Sequence, residues 1–126
     1  MNKNYIVAEY IPGETLYEAI KGKKRTLNDF DKILIIIEIM ISIEYVHLRR
    51  IIFRDLHFEN IIVNSDNVAI LVDFDQSIGD EGSMKTGDIG VSYFTSPEQF
   101  SSNEYSFKSD IYSLGKIIFF IITKKI

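Results

Sequence analysis

Two short apolar runs separated by turn-forming residues limit what this chain can fold into. The runs are Ile61–Val63 and residues 70–72, and residues 64–67 between them read Asn-Ser-Asp-Asn. β-Branched runs bounded by Asn, Asp and Ser are typical of two strands joined as a hairpin. Because a hairpin brings its two ends together, residues just before the first strand and just after the second should lie close in space.

Polar side chains occupy both of those ends. Asp55 and Asn60 precede the first predicted strand, and Asp73 follows the second. Two carboxylates and an amide supply the oxygen ligands that Mg²⁺ prefers, and Mg²⁺ is commonly bound together with phosphate groups. The sequence therefore predicts a magnesium and phosphate site at this end of the hairpin.

The same stretch resembles the catalytic centre of eukaryotic protein kinases. Residues 53–60, FRDLHFEN, are similar to the H-R-D-L-x-x-x-N catalytic loop, and residues 73–75, DFD, are similar to D-F-G. Residues 96–98 stand where the family has A-P-E, and residues 109–115 resemble the start of the large helix in its C-terminal lobe (C-lobe). The four motifs follow the family's order over nearly the whole chain.

The resemblance implies a role for each matching residue of the centre. Asp55 would accept the proton of the attacking hydroxyl group, Arg54 would hold a phosphorylated activation segment, and His57 stands where the family has a lysine. Asn60 and Asp73 would bind Mg²⁺. The implied reaction is phosphoryl transfer from ATP, with Mg²⁺, to a hydroxyl group of a protein substrate.

The start of the chain resembles the kinase hinge. Residues 5–11 form a β-branched and aromatic run that predicts a strand. The resemblance implies that backbone groups of Glu9 and Ile11 bind adenine, that Glu14 reaches the ribose, and that Ile62 also contacts the nucleotide.

Three helices are predicted, over residues 15–21, from Asn28 or Asp29 to about residue 48, and over Phe107–Thr123. In the second helix, apolar residues at spacings of three and four predict one buried face, formed by Phe30, Ile33, Leu34, Ile37, Met40, Ile41, Tyr45 and Leu48. Four more widen that face, namely Ile35, Ile36, Ile39 and Ile43. The apolar runs are shorter than the roughly 18 to 20 residues that a membrane span needs, so none is expected.

These elements and the resemblance predict an α+β fold, a protein-kinase-like C-lobe fragment that is mainly helical with short β-hairpins and a residual strand of the N-terminal lobe. The expected division is a hinge strand in residues 1–13 and a truncated C-lobe in residues 14–126. The 126 residues contain no Gly-rich phosphate loop and no V-A-I-K lysine. The isolated chain is therefore expected to be weakly active or inactive, and a protein partner could cover the apolar surface of a shortened lobe.

The composition limits the binding partners and the cellular compartment that we expect for this protein. The net charge of −4 gives no basic stripe, so nucleic acid is not an expected partner. The chain has no cysteine, which excludes disulfides and thiolate metal sites and fits a reducing compartment such as the cytoplasm.

Some residues depart from the family pattern or are expected to be structural. Phe53 replaces a histidine, His57 replaces a lysine and would be cationic only when protonated, and Asp75 replaces a glycine and would restrict movement of its neighbours. The resemblance implies that Asp110 holds the backbone of the catalytic loop. His47 is expected to be a helix-end residue and not a base.

Two expectations concern residues 73–98, which correspond to the activation segment. The arginine that pairs with Glu98 in the family lies beyond residue 126, so no partner is expected for this carboxylate. Ser83, Thr86 and Ser92 are candidate phosphorylation sites, and Gly90 corresponds to a glycine of the substrate-docking loop.

Three functions remain open from the sequence. The first is a protein kinase, serine/threonine-specific or tyrosine-kinase-like, and the second is a pseudokinase remnant that acts as a binding module. The third is a small-molecule phosphotransferase of the aminoglycoside or choline kinase kind, whose D-L-H-x-x-N and D-F-D letters the chain shares. Residues 96–98 and 109–115 argue against the third, because those enzymes lack both motifs.

Overall fold

The computed structural model describes residues 5, 7–22, 24–80, 93–102 and 104–126. In chain order the elements are β1 (Glu14–Thr15), α1 (Leu16–Lys21), α2 (Asp29–Leu48), β2 (Ile51–Ile52), a 3₁₀ turn (Phe58–Asn60), β3 (Ile61–Val63), β4 (Ala69–Leu71), β5 (Ile78–Gly79), α3 (Pro97–Ser102) and α4 (Phe107–Thr123). Helices predominate and the strands are short and antiparallel, which confirms the predicted α+β class.

The predicted hairpin forms the centre of a three-stranded antiparallel sheet, in the order β1-β3-β4. Ile61 is paired with Leu71, and Val63 is paired with Ala69. At the tip, the Oδ1 atom of Asn64 accepts hydrogen bonds from the backbone N–H groups of residues 66 and 68. This turn sets the register, so that the residues before β3 lie beside those that follow β4.

Arg25 joins β1 to the tip of the hairpin. Its Nε atom donates to Glu14 at 2.6 Å, and its Nη1 atom donates to Asn67 Oδ1 at 2.9 Å and to the carbonyl oxygen of Asn64. Arg25 belongs to a basic run of the sequence, residues 21–25. This member of the run stabilises the sheet by linking β1 to the tip of the hairpin.

The predicted strand over residues 5–11 is not formed in the described part of that segment. Tyr5 and residues 7–12 have no regular structure, and the first strand is β1. A strand is stable only where a neighbouring strand satisfies its backbone groups. Within the described residues no strand lies beside this segment, so its β propensity alone does not define an element.

The buried face of α2 differs from the one predicted. Three of the four residues predicted to widen that face are buried, namely Ile35, Ile39 and Ile43, and Val46 is buried with them. The eight residues predicted to form its centre are between 41% and 77% exposed. The helix is apolar on almost every side, so spacing alone could not choose between its faces. Packing against β4 and α4 determines which face of α2 is buried. Glu38 stabilises this orientation by accepting a hydrogen bond from Ala69 N at 2.7 Å.

Helix α4 has the predicted bounds, and one of its faces is buried in the core. Its buried side chains include Ile117, Phe120 and Ile121, which join the core cluster next to the loop that precedes β3. The ring of Phe58, from the 3₁₀ turn, lies 5.0 Å from that of Phe120 and 4.9 Å from that of Phe94. The loop therefore rests on α4 through aromatic contacts. Among the described residues, no helix has both the length and the apolar character for crossing a membrane.

The two faces of α2 can be distinguished by a matched pair of substitutions. We expect Ile39→Ala to lower the free energy of unfolding by about 2–5 kcal/mol, because it leaves a cavity in the core. Ile37→Ala, two residues earlier on the exposed face, should cost less than about 1 kcal/mol. Urea unfolding of the purified variants measures both values, and equal losses would contradict the observed face.

Candidate active site

The candidate catalytic loop is held by one buried carboxylate. Asp110, on α4, is 1% exposed. Its Oδ1 atom accepts a hydrogen bond from Arg54 N at 2.9 Å, and its Oδ2 atom accepts one from Phe53 N at 2.8 Å. The Nε2 atom of His47 lies 2.7 Å from the same Oδ2 atom. The structural role predicted for Asp110 is confirmed. His47, in the last turn of α2, contacts the same carboxylate.

Arg54 has an unusual backbone conformation within this loop. Its φ angle of 73° lies in the left-handed region, which side chains other than glycine seldom adopt. The hydrogen bond to Asp110 holds the backbone there. The guanidinium group is buried and stacks over the ring of Tyr105 at 4.1 Å. This strained backbone conformation of Arg54 sets the direction of the side chains of the loop.

Asp55 and Asn60 are joined directly. The Nδ2 atom of Asn60 donates to the Oδ2 atom of Asp55 at 3.1 Å and to its carbonyl oxygen at 3.0 Å. The Nε2 atom of His57 lies 3.4 Å from the same Oδ2 atom. The nearby imidazole of His57 is the largest cause of a lowered pKa of Asp55. Partial burial opposes this lowering, and Asn60 and Arg54 add to it. Asp55 is therefore kept ionised.

Asp73 reaches the same end of the hairpin from the other strand. Val72 N donates to the carbonyl oxygen of Asn60 at 3.0 Å, which fixes the two strand ends side by side. The pKa of Asp73 is raised, first by loss of hydration, then by the carboxylate of Asp75 and more weakly by the charge of Asp55. The hairpin thus gathers several negative groups, as its topology predicts.

These acids do not form a complete metal site by themselves. Within the described part of the chain, no three carboxylate or histidine side chains lie close enough to bind a metal ion together. The amide nitrogen of Asn60 is committed to Asp55, however, which leaves its Oδ1 atom as the end that can face a cation. Asn60 and Asp73 could therefore contribute one oxygen ligand each, with other oxygen donors completing the shell.

Two of the unusual motif residues have identifiable contacts. Phe53, which replaces a histidine, is fully buried and packs edge-to-face against Phe74 with 4.9 Å between ring centroids. Asp75, which replaces a glycine, accepts a hydrogen bond from Gln76 Nε2 at 3.2 Å and lies close enough to Asp73 to raise its pKa.

The residues predicted to contact the nucleotide lie in three different parts of the structure. Ile62 lies half-buried in the middle of β3, opposite Ile70. Glu9 and Ile11 line a cavity of about 780 Å³ beside residues 64–67, at the end of the hairpin opposite to Asp55. Glu14 is buried in β1 with its carboxylate bound to Arg25. A ribose contact by Glu14 would require that ion pair to open.

The expectation that Glu98 lacks a partner is wrong. Ser109 Oγ donates to Glu98 Oε1 at 3.2 Å. Burial opposes a lowered pKa of Glu98, but hydrogen bonds from its own backbone, Ser96 and Ser109, with the charge of Lys108, lower it on balance.

A second serine of α4 holds the same segment, because Ser113 Oγ donates to the carbonyl oxygen of Phe94 at 2.7 Å. Small hydroxyl residues four positions apart on α4 were the signal that sequence reasoning missed. The candidate phosphorylation sites Ser83, Thr86 and Ser92, together with Gly90, lie outside the described residues.

The hairpin, the loop before it and the buried helix behind it define the C-lobe of a protein kinase fold. Sequence comparison agrees, since the profile of the protein kinase domain family matches residues 1–126. The chain belongs to the protein kinase family.

Several curated relatives cover nearly all of this chain. Serine/threonine-protein kinases Nek4 and Nek1 of Mus musculus are 30% and 32% identical over 124 residues, 96% of this chain. Serine/threonine-protein kinase D of Synechocystis sp. is 32% identical over 134 aligned residues and covers 99% of it. The chain spans only 16%, 10% and 25% of the lengths of these three relatives, respectively.

The crowding of carboxylates around Asp73 predicts a pH-dependent effect on stability. Because its pKa is raised on folding, Asp73 favours the folded state at low pH, and this contribution is lost as pH rises through the raised value. We expect Asp73→Asn, which tolerates the φ angle of 64°, to be more stable than the parent at pH 7. Urea unfolding at pH 7 and at about pH 3.5 measures this. The gain should shrink at the lower pH, and a variant less stable at pH 7 would contradict the account.

Proposed function

We propose that this chain carries the phosphoryl-transfer centre of a protein kinase, which moves the γ-phosphoryl group of ATP to a hydroxyl group of a protein. The observation that carries the proposal is Asp55, an ionised carboxylate held by Asn60 on a loop whose backbone is bound to buried Asp110. A fixed, ionised carboxylate suits a group that orients a hydroxyl and accepts its proton.

The residues around Asp55 fit a metal-bound nucleotide. Asn60 offers its amide oxygen, and Asp73 offers a carboxylate whose pKa is raised first by loss of hydration and then by the neighbouring carboxylates of Asp75 and Asp55. A divalent cation would relieve that repulsion. When bound there, Mg²⁺ would neutralise charge on the phosphates, and the phosphates and water would supply its remaining ligands.

Arg54 supports regulation by phosphorylation of the activation segment. Its guanidinium is nearly buried, where a hydrogen bond to a phosphate group would be stronger than one in water. We propose that Arg54 binds such a phosphate, as the resemblance implies.

The acceptor is proposed to be a protein, and more narrowly a serine or threonine. The segment that contains Phe94 and Glu98 is docked on α4 by Ser113 and Ser109, a feature that the small-molecule phosphotransferases lack. The three relatives described above carry the name serine/threonine-protein kinase. Since the chain has no cysteine, we place the reaction in a reducing compartment, the cytoplasm.

The binding-module alternative has its own support. The 126 residues contain no Gly-rich phosphate loop and no V-A-I-K lysine, and both position phosphates in the family. We therefore propose that these residues alone bind ATP weakly and transfer phosphate slowly or not at all. The exposed apolar face of α2 would suit a protein partner.

A radioactive transfer assay with Asp55→Asn tests the proposal. In the purified protein, we expect the variant to lose about 10²- to 10⁴-fold of the parent's transfer from labelled ATP to a protein acceptor, because the substitution removes a general base. Glu59→Gln, an exposed change in the same loop, is the matched control and should have little effect.

The outcome separates the two functions. Transfer that is equal in the parent and the Asp55→Asn variant would refute the assignment of the centre. ATP binding by the parent, measured by calorimetry, without any transfer that depends on Asp55 would support the binding module instead.

A further inference from the structure

Lys116 is the one charged residue in the apolar part of α4. The sequence from Leu114 to Ile122 contains no other charge, and the side chain of Lys116 is half-buried. Its Nζ atom lies 4.7 Å from the centroid of the Tyr93 ring and 5.5 Å from that of Tyr112. Both distances are within the roughly 6 Å over which an aromatic face attracts a cation. Two rings therefore hold the ammonium group in place.

No acidic group neutralises this lysine within the described part of the chain. None of the ion pairs found there includes Lys116, and its Nζ atom makes no hydrogen bond to any of those residues. An exposed lysine loses side-chain entropy when it binds a partner, whereas a side chain that is already ordered loses less. Lys116 is thus a fixed positive charge that has no anion beside it among the described residues.

Aromatic contacts connect Lys116 with the neighbourhood of Asp55. Asp55 and Phe94 line the same small cavity, so the segment around Phe94 lies beside the candidate catalytic carboxylate. The ring of Tyr93 lies 5.1 Å from that of Phe94, and Tyr93 is also a ring that Lys116 contacts. Ser113, on α4, fixes the segment by donating to the carbonyl oxygen of Phe94 at 2.7 Å. The positive charge therefore lies a short distance along this segment from Asp55.

We propose that Lys116 is a specificity-determining residue that binds an anionic side chain of the protein substrate, a carboxylate or a phosphate group. This inference rests on the proposed function, in which Asp55 orients the acceptor hydroxyl. An extended peptide advances about 3.3 Å per residue, so a side chain within about five residues of the acceptor reaches Lys116. The phosphates of ATP are not this anion, because in the proposed function they lie with Mg²⁺ at Asn60 and Asp73.

The surroundings of the ammonium group suit an acidic side chain. The tyrosine rings present negative faces, which compensate its positive charge only in part. A carboxylate or a phosphate group supplies a full negative charge, and water weakens this contact less at a half-buried lysine than at an exposed one. A neutral side chain gains nothing from Lys116 and a basic one is repelled. The contact therefore discriminates among protein substrates.

A role in packing alone makes a different prediction, and three substitutions distinguish the two roles. In Lys116→Met, a side chain of similar length still covers the tyrosine rings but carries no charge. In Lys116→Arg the charge is kept, and a guanidinium group also stacks on aromatic faces. Lys125→Met, at an exposed lysine that follows α4, is the matched control because it removes the same charge at another place.

Binding of labelled peptides to the purified protein, measured by fluorescence anisotropy, tests the proposal. The probes have a central serine in a neutral Gly-Ala background, with one aspartate or phosphoserine placed in turn at each of about five positions on either side. We expect one or more acidic peptides to bind about three- to tenfold more tightly than the neutral peptide. This gain should disappear in Lys116→Met and persist in Lys116→Arg and Lys125→Met. The larger of the two gains that depend on Lys116 identifies the anion as a carboxylate or a phosphate.

Charge reversal gives a readout that a packing role would not change. In Lys116→Glu the preferred acidic peptide should lose its advantage, and a peptide with lysine at the same position should bind more tightly than the neutral one. Three results would overturn the inference: equal affinity of the parent for all peptides, no measurable binding of any peptide, or an acidic preference that survives in Lys116→Met.

Asp55→Asn keeps this test separate from the test of the proposed function, since peptide affinity does not require phosphate transfer. If Asp55→Asn transfers phosphate as fast as the parent, the proposed function fails, and an acidic preference that depends on Lys116 still supports the contact itself. If transfer depends on Asp55 but the acidic preference does not depend on Lys116, only the inference fails.

Discussion

The carboxylate of Asp110 is the interaction on which the rest of this lobe depends. It is buried in α4, and both of its oxygen atoms accept backbone N–H groups from the loop that precedes Asp55. A buried charge is tolerated only when it is well hydrogen-bonded, so the loop and the helix stabilise each other. The same carboxylate contacts His47 at the end of α2. One side chain therefore joins two helices and the loop, and it holds Arg54 in its left-handed conformation.

On the other side of the loop, the carboxylates of Asp55 and Asp73 have pKa values that are shifted in opposite directions. Hydrogen bonds lower the pKa of Asp55, whereas loss of hydration and neighbouring acids raise that of Asp73. Pairs of acids whose surroundings move their pKa values apart commonly divide their roles in an active site. In the proposed reaction, this division would place the ionised Asp55 beside the acceptor hydroxyl and leave Asp73 in surroundings where a cation would reduce the repulsion. The hairpin produces this arrangement because it ends both strands at one place.

Local patterns predicted much of this fold, while contacts between distant segments escaped them. The hairpin and the bounds of α4 follow from turn residues and helical spacing, and the family motif indicated the role of Asp110. The face of α2 could not be predicted, since an almost uniformly apolar helix is oriented only by its neighbours. The partners of Arg25 and Glu98 lie in other elements of the chain, at separations of 11 or 42 residues, and no helical or strand spacing identifies them.

Amide hydrogen exchange in an Asp110→Asn variant is the most direct test of this account. Asparagine keeps the shape of the side chain but removes the charge and one of the two acceptor oxygens. If Asp110 holds the loop, the amides of Phe53 and Arg54 should exchange at least about tenfold faster than in the parent, which corresponds to roughly 1.4 kcal/mol of lost protection, while those in the middle of α4 change little. Unchanged protection of those two amides in a folded variant would contradict the account.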